Sequence, residues 1–202
     1  MKLLELFSGT GSVGKVAKEL GYEVVSLDLK GADINTNIID WDYTQYPKGH
    51  FDIVWASPPC ATFSKLRNSH IGRGMTHESI RQDIENIGLP ILRKAEEIID
   101  YLKPKLWFIE NPQTGRMKEY IERPFYDVDY CKYGFSYRKR TRIWTNRTDF
   151  ESKLCKKDCG NIIGKKHTHQ MGNATSNVNV GNLKQKYSIP PKLIHDLLRR
   201  ET

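Results

Sequence analysis

Apolar residues recur along this chain in short runs that end in polar turns. Residues 2–7 (KLLELF) form the first run, and residues 23–27, 51–56 (FDIVWA) and 106–109 (LWFI) repeat it. Runs of this length, rich in branched and aromatic side chains, read as buried strands. Between the first two, Val16, Ala17 and Leu20 fall at helical spacing and Gly21 closes the segment. Ile91, Leu92, Ala95, Ile98, Ile99 and Leu102 make one face of a helix over residues 90–103, which Pro104 ends. Strands alternating with helices predict an α/β, Rossmann-like fold: a mostly parallel sheet with helices on both faces. Further on, the pattern predicts a short helix at 117–122 and strands at 126–130 and 142–145. A last helix opens at Pro190-Pro191 and runs through Arg200, with Leu193, Ile194, Leu197 and Leu198 on one side. Residues 61–88 are polar and glycine-dotted. They read as a mobile loop beside the site, with a helix starting near Thr76.

The polar ends of the strands carry the chemistry. Gly9-x-Gly11-x-x-Gly14 follows the first strand and opens a helix, so the backbone can approach a ligand and the helix start offers free N–H groups. Asp28 ends the second strand, where a carboxylate can accept both hydroxyls of a ribose. Nicotinamide cofactors and S-adenosylmethionine both suit this frame, and a tight packing turn is the bland alternative. Glu5 has no role toward a pyrophosphate; it can serve a cationic sulfonium or its amino group, or face solvent. Asp40 beside Trp41 can hold an adenine, with Asp42 as the alternate, or cap a turn. Ser57-Pro58-Pro59 stops the third long strand and sets Cys60 in a stiff turn at the crevice edge. Taken alone, that cysteine is more readily a small buried thiol. Glu110-Asn111-Pro112 ends the next strand on the same edge.

Composition narrows the partner. The 202 residues carry a formal charge of +8, and the mean hydropathy is −0.60. Basic residues concentrate late: Lys132, Arg138, Lys139, Arg140, Arg142, Arg147, Lys153, Lys156, Lys157, Lys165 and Lys166, interleaved with Tyr133, Phe135, Tyr137 and Trp144. A polyanion is the natural partner, because aromatics among arginines can stack on bases; an ordinary solvated surface is the alternative. No run is long enough to span a bilayer, and the N-terminus lacks a secretory leader's long apolar stretch. An intracellular protein is expected, cytoplasmic in a prokaryote or an infected host, with no membrane partner and in monomeric form.

Phe7-Ser8-Gly9-x-Gly11, Ser57-Pro58-Pro59-Cys60 with Phe63-Ser64, Glu110-Asn111, Tyr133-Gly134 with Arg140-x-Arg142, and a terminal Pro-Pro helix occur in that order. The ordered set resembles the DNA (cytosine-5)-methyltransferase family across nearly the whole chain. The resemblance implies an enzyme that moves a methyl group from S-adenosylmethionine to carbon 5 of cytosine in DNA. Cys60 would be the covalent nucleophile, its pKa lowered by nearby arginines and a helix start. Glu110 would hydrogen-bond ring N3 and the amine, Asn111 would orient that loop, and Arg140 and Arg142 would meet the base carbonyl or flanking phosphates. Phe7, Gly9, Gly11, Asp28, Asp40, Trp41 and Pro58 would line the cofactor pocket. The target base would have to leave the duplex. The chain departs from the family pattern at Pro112, at Arg138 and at an additional Tyr137. Its recognition domain shrinks to residues 146–182, between a core of 1–145 and a returning helix at 183–202, which predicts a short target site or weak specificity. A nicotinamide-dependent dehydrogenase leaves Cys60 and Glu110 unexplained; a catalytically silent DNA-binding relative keeps the basic face without turnover.

Four cysteines in a reduced compartment are thiols or metal ligands rather than disulfides. Cys155-x-x-x-Cys159 followed by His167-x-His169 has the ligand types for zinc, and Cys131 can replace one histidine. Exposed thiols and solvated histidines are the alternative.

Overall fold

The computed structural model describes residues 1–164, 166–169 and 187–199. Much of the expected recognition segment and the end of the last helix lie outside the described residues.

Seven strands form one sheet: β1 (Lys2–Leu6), β2 (Glu23–Asp28), β3 (Ile34–Asn35), β4 (Ile53–Ala56), β5 (Leu106–Pro112), β6 (Phe125–Asp129) and β7 (Arg140–Thr145). Their order is β3-β2-β1-β4-β5-β7-β6, with β7 antiparallel to both its neighbours and the other pairs parallel. The expected parallel α/β sheet is therefore present, with an antiparallel arm at one edge. Chain order reverses between β1 and β4, and a ligand crevice opens at such a reversal.

The alternation of side chains along each strand divides the core into two layers. Leu4, Leu6, Val54, Ala56, Trp107 and Ile109 pack on one face beneath α3 (Leu89–Leu102). Leu3, Ile53, Trp55 and Phe108 pack on the other, under α1 (Ser12–Glu19) and α4 (Pro191–Leu198). The helical faces read from spacing are the buried ones: Leu92, Ala95, Ile98, Ile99 and Leu102 in α3, and Leu193, Ile194, Leu197 and Leu198 in α4.

Residues 61–88 are more regular than a mobile loop. Ser64 accepts the Leu66 N–H at the start of a short 3₁₀ turn, Lys65–His70. Thr76 and Ser79 form a reciprocal cap on α2 (His77–Asp83), which runs through a wide turn, Ile84–Gly88, into α3. Gly88 permits this: a Cβ there would lie 2.9 Å from the Phe63 ring and 2.6 Å from the Thr62 hydroxyl. The helix thus rests directly on the segment that follows Cys60. The expected helix at 117–122 is one 3₁₀ turn, Met117–Glu119. Among the described residues, no helix is long and apolar enough to cross a membrane.

Candidate active site

Strand β1 ends in a tight backbone path. Phe7, Gly9 and Gly11 all have positive φ, of 60°, 50° and 66°. For Phe7 that is a strained conformation, of the kind retained at ligand sites. Gly11 caps α1, and the Asp28 carboxylate accepts the Gly9 N–H at 2.8 Å and the Leu29 N–H at 2.7 Å. Beneath the loop lies Glu5, only 4% exposed, accepting the Gly14 N–H at 2.9 Å. Glycine at position 14 lets this carboxylate sit against the helix backbone, since a Cβ would stand 2.6 Å from Glu5 Oε2 and displace it. Burial raises the Glu5 pKa to about 7, against the opposing pull of the Gly14 and Val13 N–H groups and Lys18. The sequence left open whether Glu5 faces solvent; it does not.

Strand β4 delivers Ser57-Pro58-Pro59-Cys60 to the adjacent strand end. Ser57 extends the ladder by donating its N–H to Leu6 O at 3.2 Å. Next door, β5 ends in Glu110 and Asn111, which point to opposite faces. The Asn111 side-chain amide donates to Pro58 O at 2.8 Å, a buried tie between the cysteine turn and the β5 end. Glu110, 6% exposed, accepts the Tyr130 hydroxyl at 3.0 Å. Burial, and after it the Glu110 charge, keeps the Tyr130 phenol protonated and therefore a donor.

One cavity of about 330 Å³ spans both strand ends. Glu5, Phe7, Gly9, Asp28 and Pro58 line it together with Cys60, Glu110 and Asn111. Gly11 lines a neighbouring hollow shared with Glu5 and Gly9. Cys60 is half-buried, and burial pushes its thiol pKa up, with Lys139 pulling down and Glu110 adding to the rise. The expectation that arginines and a helix start lower it is corrected: desolvation wins, and the nearby cation is a lysine. Lys139 also lines the cavity. Neither Lys139 nor Tyr130 was singled out for the site from sequence, because the residues that bring them there are remote in the chain.

Other expected site residues stand elsewhere. Asp40 is exposed, Trp41 is packed in the core, and neither lines the cavity; Thr36, Asn37 and Ile38 do. Asp42 accepts the Thr44 N–H and caps a turn. Arg140 and Arg142 do not line the cavity either. They sit directly opposite Asp129 and Asp127 across the β6–β7 pair. Arg140 bonds Asp129 at 3.0 and 2.7 Å, and Arg142 bonds Asp127 at 2.7 and 2.9 Å while stacking on Phe125. Two residues apart on one strand, they share a face, and that face carries carboxylates.

A second cluster lies outside the cavity. Cys131, Cys155, Cys159 and His167 bring one ligand atom each to within 4.8 Å of all the others, an arrangement that can hold a metal ion. Cys131 takes the place expected for His169, which lies outside the cluster and contacts Thr168.

The strand order, the glycine loop at its reversal and the carboxylate ending β2 make a Rossmann-like fold of the kind found in solved methyltransferases. Entamoeba histolytica methyltransferase EhMeth shares it, with a TM-score of 0.55 at 16% identity over 77% of this chain and 55% of that one. The chain thus spans about half the length of that solved structure. No protein-family model matches the chain. A full-length relative is decisive: the Frog virus 3 protein named "Probable DNA (cytosine-5)-methyltransferase" is 48% identical over 211 residues, 98% of this chain and 99% of that protein. The chain belongs to the DNA (cytosine-5)-methyltransferase family.

Proposed function

We propose that the protein transfers a methyl group from S-adenosylmethionine to carbon 5 of cytosine in DNA through a covalent bond from Cys60. The observation that carries this reading is one cavity lined both by the glycine loop and Asp28 and by Cys60 and Glu110. Glu5, Phe7, Gly9 and Asp28 are the residues to hold the cofactor: a carboxylate for the ribose, a second near its positive groups, and apolar contact for the remainder. When bound, S-adenosylmethionine supplies the methyl group and leaves as the neutral thioether.

Carbon 5 of cytosine is a poor nucleophile until a thiolate adds to carbon 6. The Cys60 sulfur forms that bond, and the ring's electron pair becomes available at carbon 5. Glu110 hydrogen-bonds N3 and the exocyclic amine as charge develops there, with Tyr130 fixing its carboxyl. Lys139 favours the thiolate against the cost of burial. Asn111 is a positioning residue, holding the cysteine turn through Pro58 O. After transfer, a base removes the carbon-5 proton, the carbon–sulfur bond breaks, and Cys60 is regenerated. The base is reached by extrusion from the duplex. In this reading residues 1–145 are the catalytic core, 146–182 a reduced recognition segment and 183–202 the return to the core. The cysteine–histidine cluster lies outside the cavity and takes no part in the transfer.

The test is incubation with tritiated S-adenosylmethionine and mixed-sequence duplex DNA. Label in 5-methylcytosine is expected, together with a denaturation-stable adduct on a 5-fluorocytosine duplex. Binding of both ligands without transfer or adduct would instead establish a silent DNA-binding relative.

A further inference from the structure

We propose that Cys131, Cys155, Cys159 and His167 form a structural zinc site that fastens the basic excursion after β7 to the catalytic sheet. Tetrahedral zinc bonds thiolates at about 2.3 Å and imidazole at about 2.0 Å, which sets neighbouring ligand atoms roughly 3.5–3.8 Å apart. Cys155 Sγ and His167 Nε2 already stand 3.5 Å apart, and all four ligand atoms lie within 4.8 Å of one another. The three thiols are free rather than joined in a disulfide. Four protein ligands leave no open position, which marks a structural rather than a catalytic metal, and three thiolates with one imidazole favour zinc over harder ions.

The surroundings fit the same reading. Among the described residues from 151 to 169, only Cys155 is buried, so apolar packing does not hold this segment together. Metal binding supplies folding energy to segments of that kind. Lys157 takes a positive φ of 69° and donates its N–H to Cys155 Sγ at 3.3 Å, an outer hydrogen bond on a ligand sulfur. Zinc with three thiolates and a neutral imidazole carries one net negative charge, and Lys132, Lys156 and Lys157 adjoin the ligands in sequence. Lys132 also bonds Asp158 at 3.0 Å, spanning the Cys131 and Cys159 sides.

The ligands come from three places. Cys131 is in the turn that follows β6, one residue from Tyr130. Cys155 and Cys159 belong to the excursion, and the Cys155 N–H bonds Asp129 at 2.8 Å. His167 is in a small hairpin of β8 (Ile162–Ile163) and β9 (Lys166–His167). That hairpin leans on the loop before β7, with Asn161 bonding Phe135 O and Thr168 bonding Ser136 O at 3.4 and 3.2 Å. The same loop leads to Lys139 at the cavity. A metal here joins the excursion, the β6 end and the path to Lys139.

The experiment uses the full chain, purified under reducing conditions and reconstituted with zinc. About one zinc per chain is expected. Cobalt in its place should show the intense visible bands of a tetrahedral thiolate site. His167→Ala and Cys159→Ala should each lower zinc affinity at least about tenfold, whereas His169→Ala should keep it. Zinc removal should speed proteolytic cleavage within residues 150–169 while the core stays resistant. If Cys159→Ala does not fold, His167→Ala, on the small hairpin, carries the comparison. No zinc after reconstitution, wild-type zinc affinity in His167→Ala, or proteolysis indifferent to zinc would each overturn the site. These readouts do not depend on methyl transfer, so they separate this inference from the proposed activity.

Discussion

The strand ends at the cavity and the arm formed by β6, β7 and the excursion are held in opposite ways. At the cavity, neutral and acidic groups are buried: Glu5, Glu110 and Asn111 are at most 6% exposed and are tied by hydrogen bonds to uncharged groups. In the arm, charges neutralise one another, with the fully buried Asp129 gripping Arg138, Arg140 and the Cys155 N–H. Burial raises the Asp129 pKa, yet the Arg140 and Cys155 bonds and the two guanidinium charges more than offset it and hold it low. The comparison teaches that a basic stretch in sequence is not a basic surface in the fold. The net +8 already subtracts the carboxylates, and what the fold adds is their placement: Arg138, Arg140 and Arg142 of the basic stretch are paired internally, so that stretch offers less free cation to phosphate than its sequence does.

The largest effect should come from the cavity. Cys60→Ser is expected to lower methyl transfer by at least about 10³-fold and to abolish the 5-fluorocytosine adduct. It should leave thermal unfolding nearly unchanged, because the thiol makes no structural tie. Residual transfer close to wild type would remove Cys60 from the mechanism. The arm should respond in stability instead. Asp129→Asn strands two guanidinium groups and should cost about 3 kcal/mol in urea unfolding. Asp127→Asn, which loses one cross-strand pair, should cost about 1 kcal/mol. Equal losses at the two positions would show that Asp129 is not the hub of the arm.

Asn111→Ala crosses the two categories. It removes the bond to Pro58 O, so it should cost about 1–3 kcal/mol of stability. It should also lower kcat more than it raises KM, because the turn carrying Cys60 loosens. A fall in stability alone would make Asn111 a packing residue. The smallest effect is a pH dependence. Burial holds the Glu5 pKa at about 7, above its ordinary 4.5, so the folded chain binds this proton more tightly than the unfolded chain. The contribution of Glu5 to stability is therefore present below the unfolded value and is lost as pH rises through about 7. Glu5→Gln should flatten that decline in thermal scans. If the carboxylate meets the cofactor's positive groups, affinity for S-adenosylmethionine should strengthen as pH rises through about 7, and Glu5→Gln should abolish the trend in titration calorimetry.

Legibility from sequence followed the same division. The placement of Cys60, Glu110, Asn111, Asp28 and Gly9 around one cavity was legible because they lie at or just after strand ends, and parallel strands deliver their ends to one edge. Asp40 and Trp41 were misplaced because a local carboxylate–aromatic pair looks the same whether it meets a ligand or the core. Trp41 went to the core, packed near Tyr43 and Tyr46. That Arg140 and Arg142 are paired was not legible, because their partners, Asp129 and Asp127, are acidic residues 11 and 15 positions away whose facing depends on the antiparallel register. Cys131 was only the reserve ligand in the spacing, since it lies 24 positions before Cys155.

By itself the sequence determined the alternation of strands and helices, the residues at each strand's end and the chemistry those residue types permit. These follow from local patterning, in which each apolar run fixes its own burial and each proline or glycine its own turn. Tertiary structure decided which charges are already satisfied, which cation stands beside Cys60, and which fourth side chain joins the cysteine–histidine cluster. Those outcomes depend on contacts between segments far apart in the chain. Register and packing set them, and neither is encoded within any one segment.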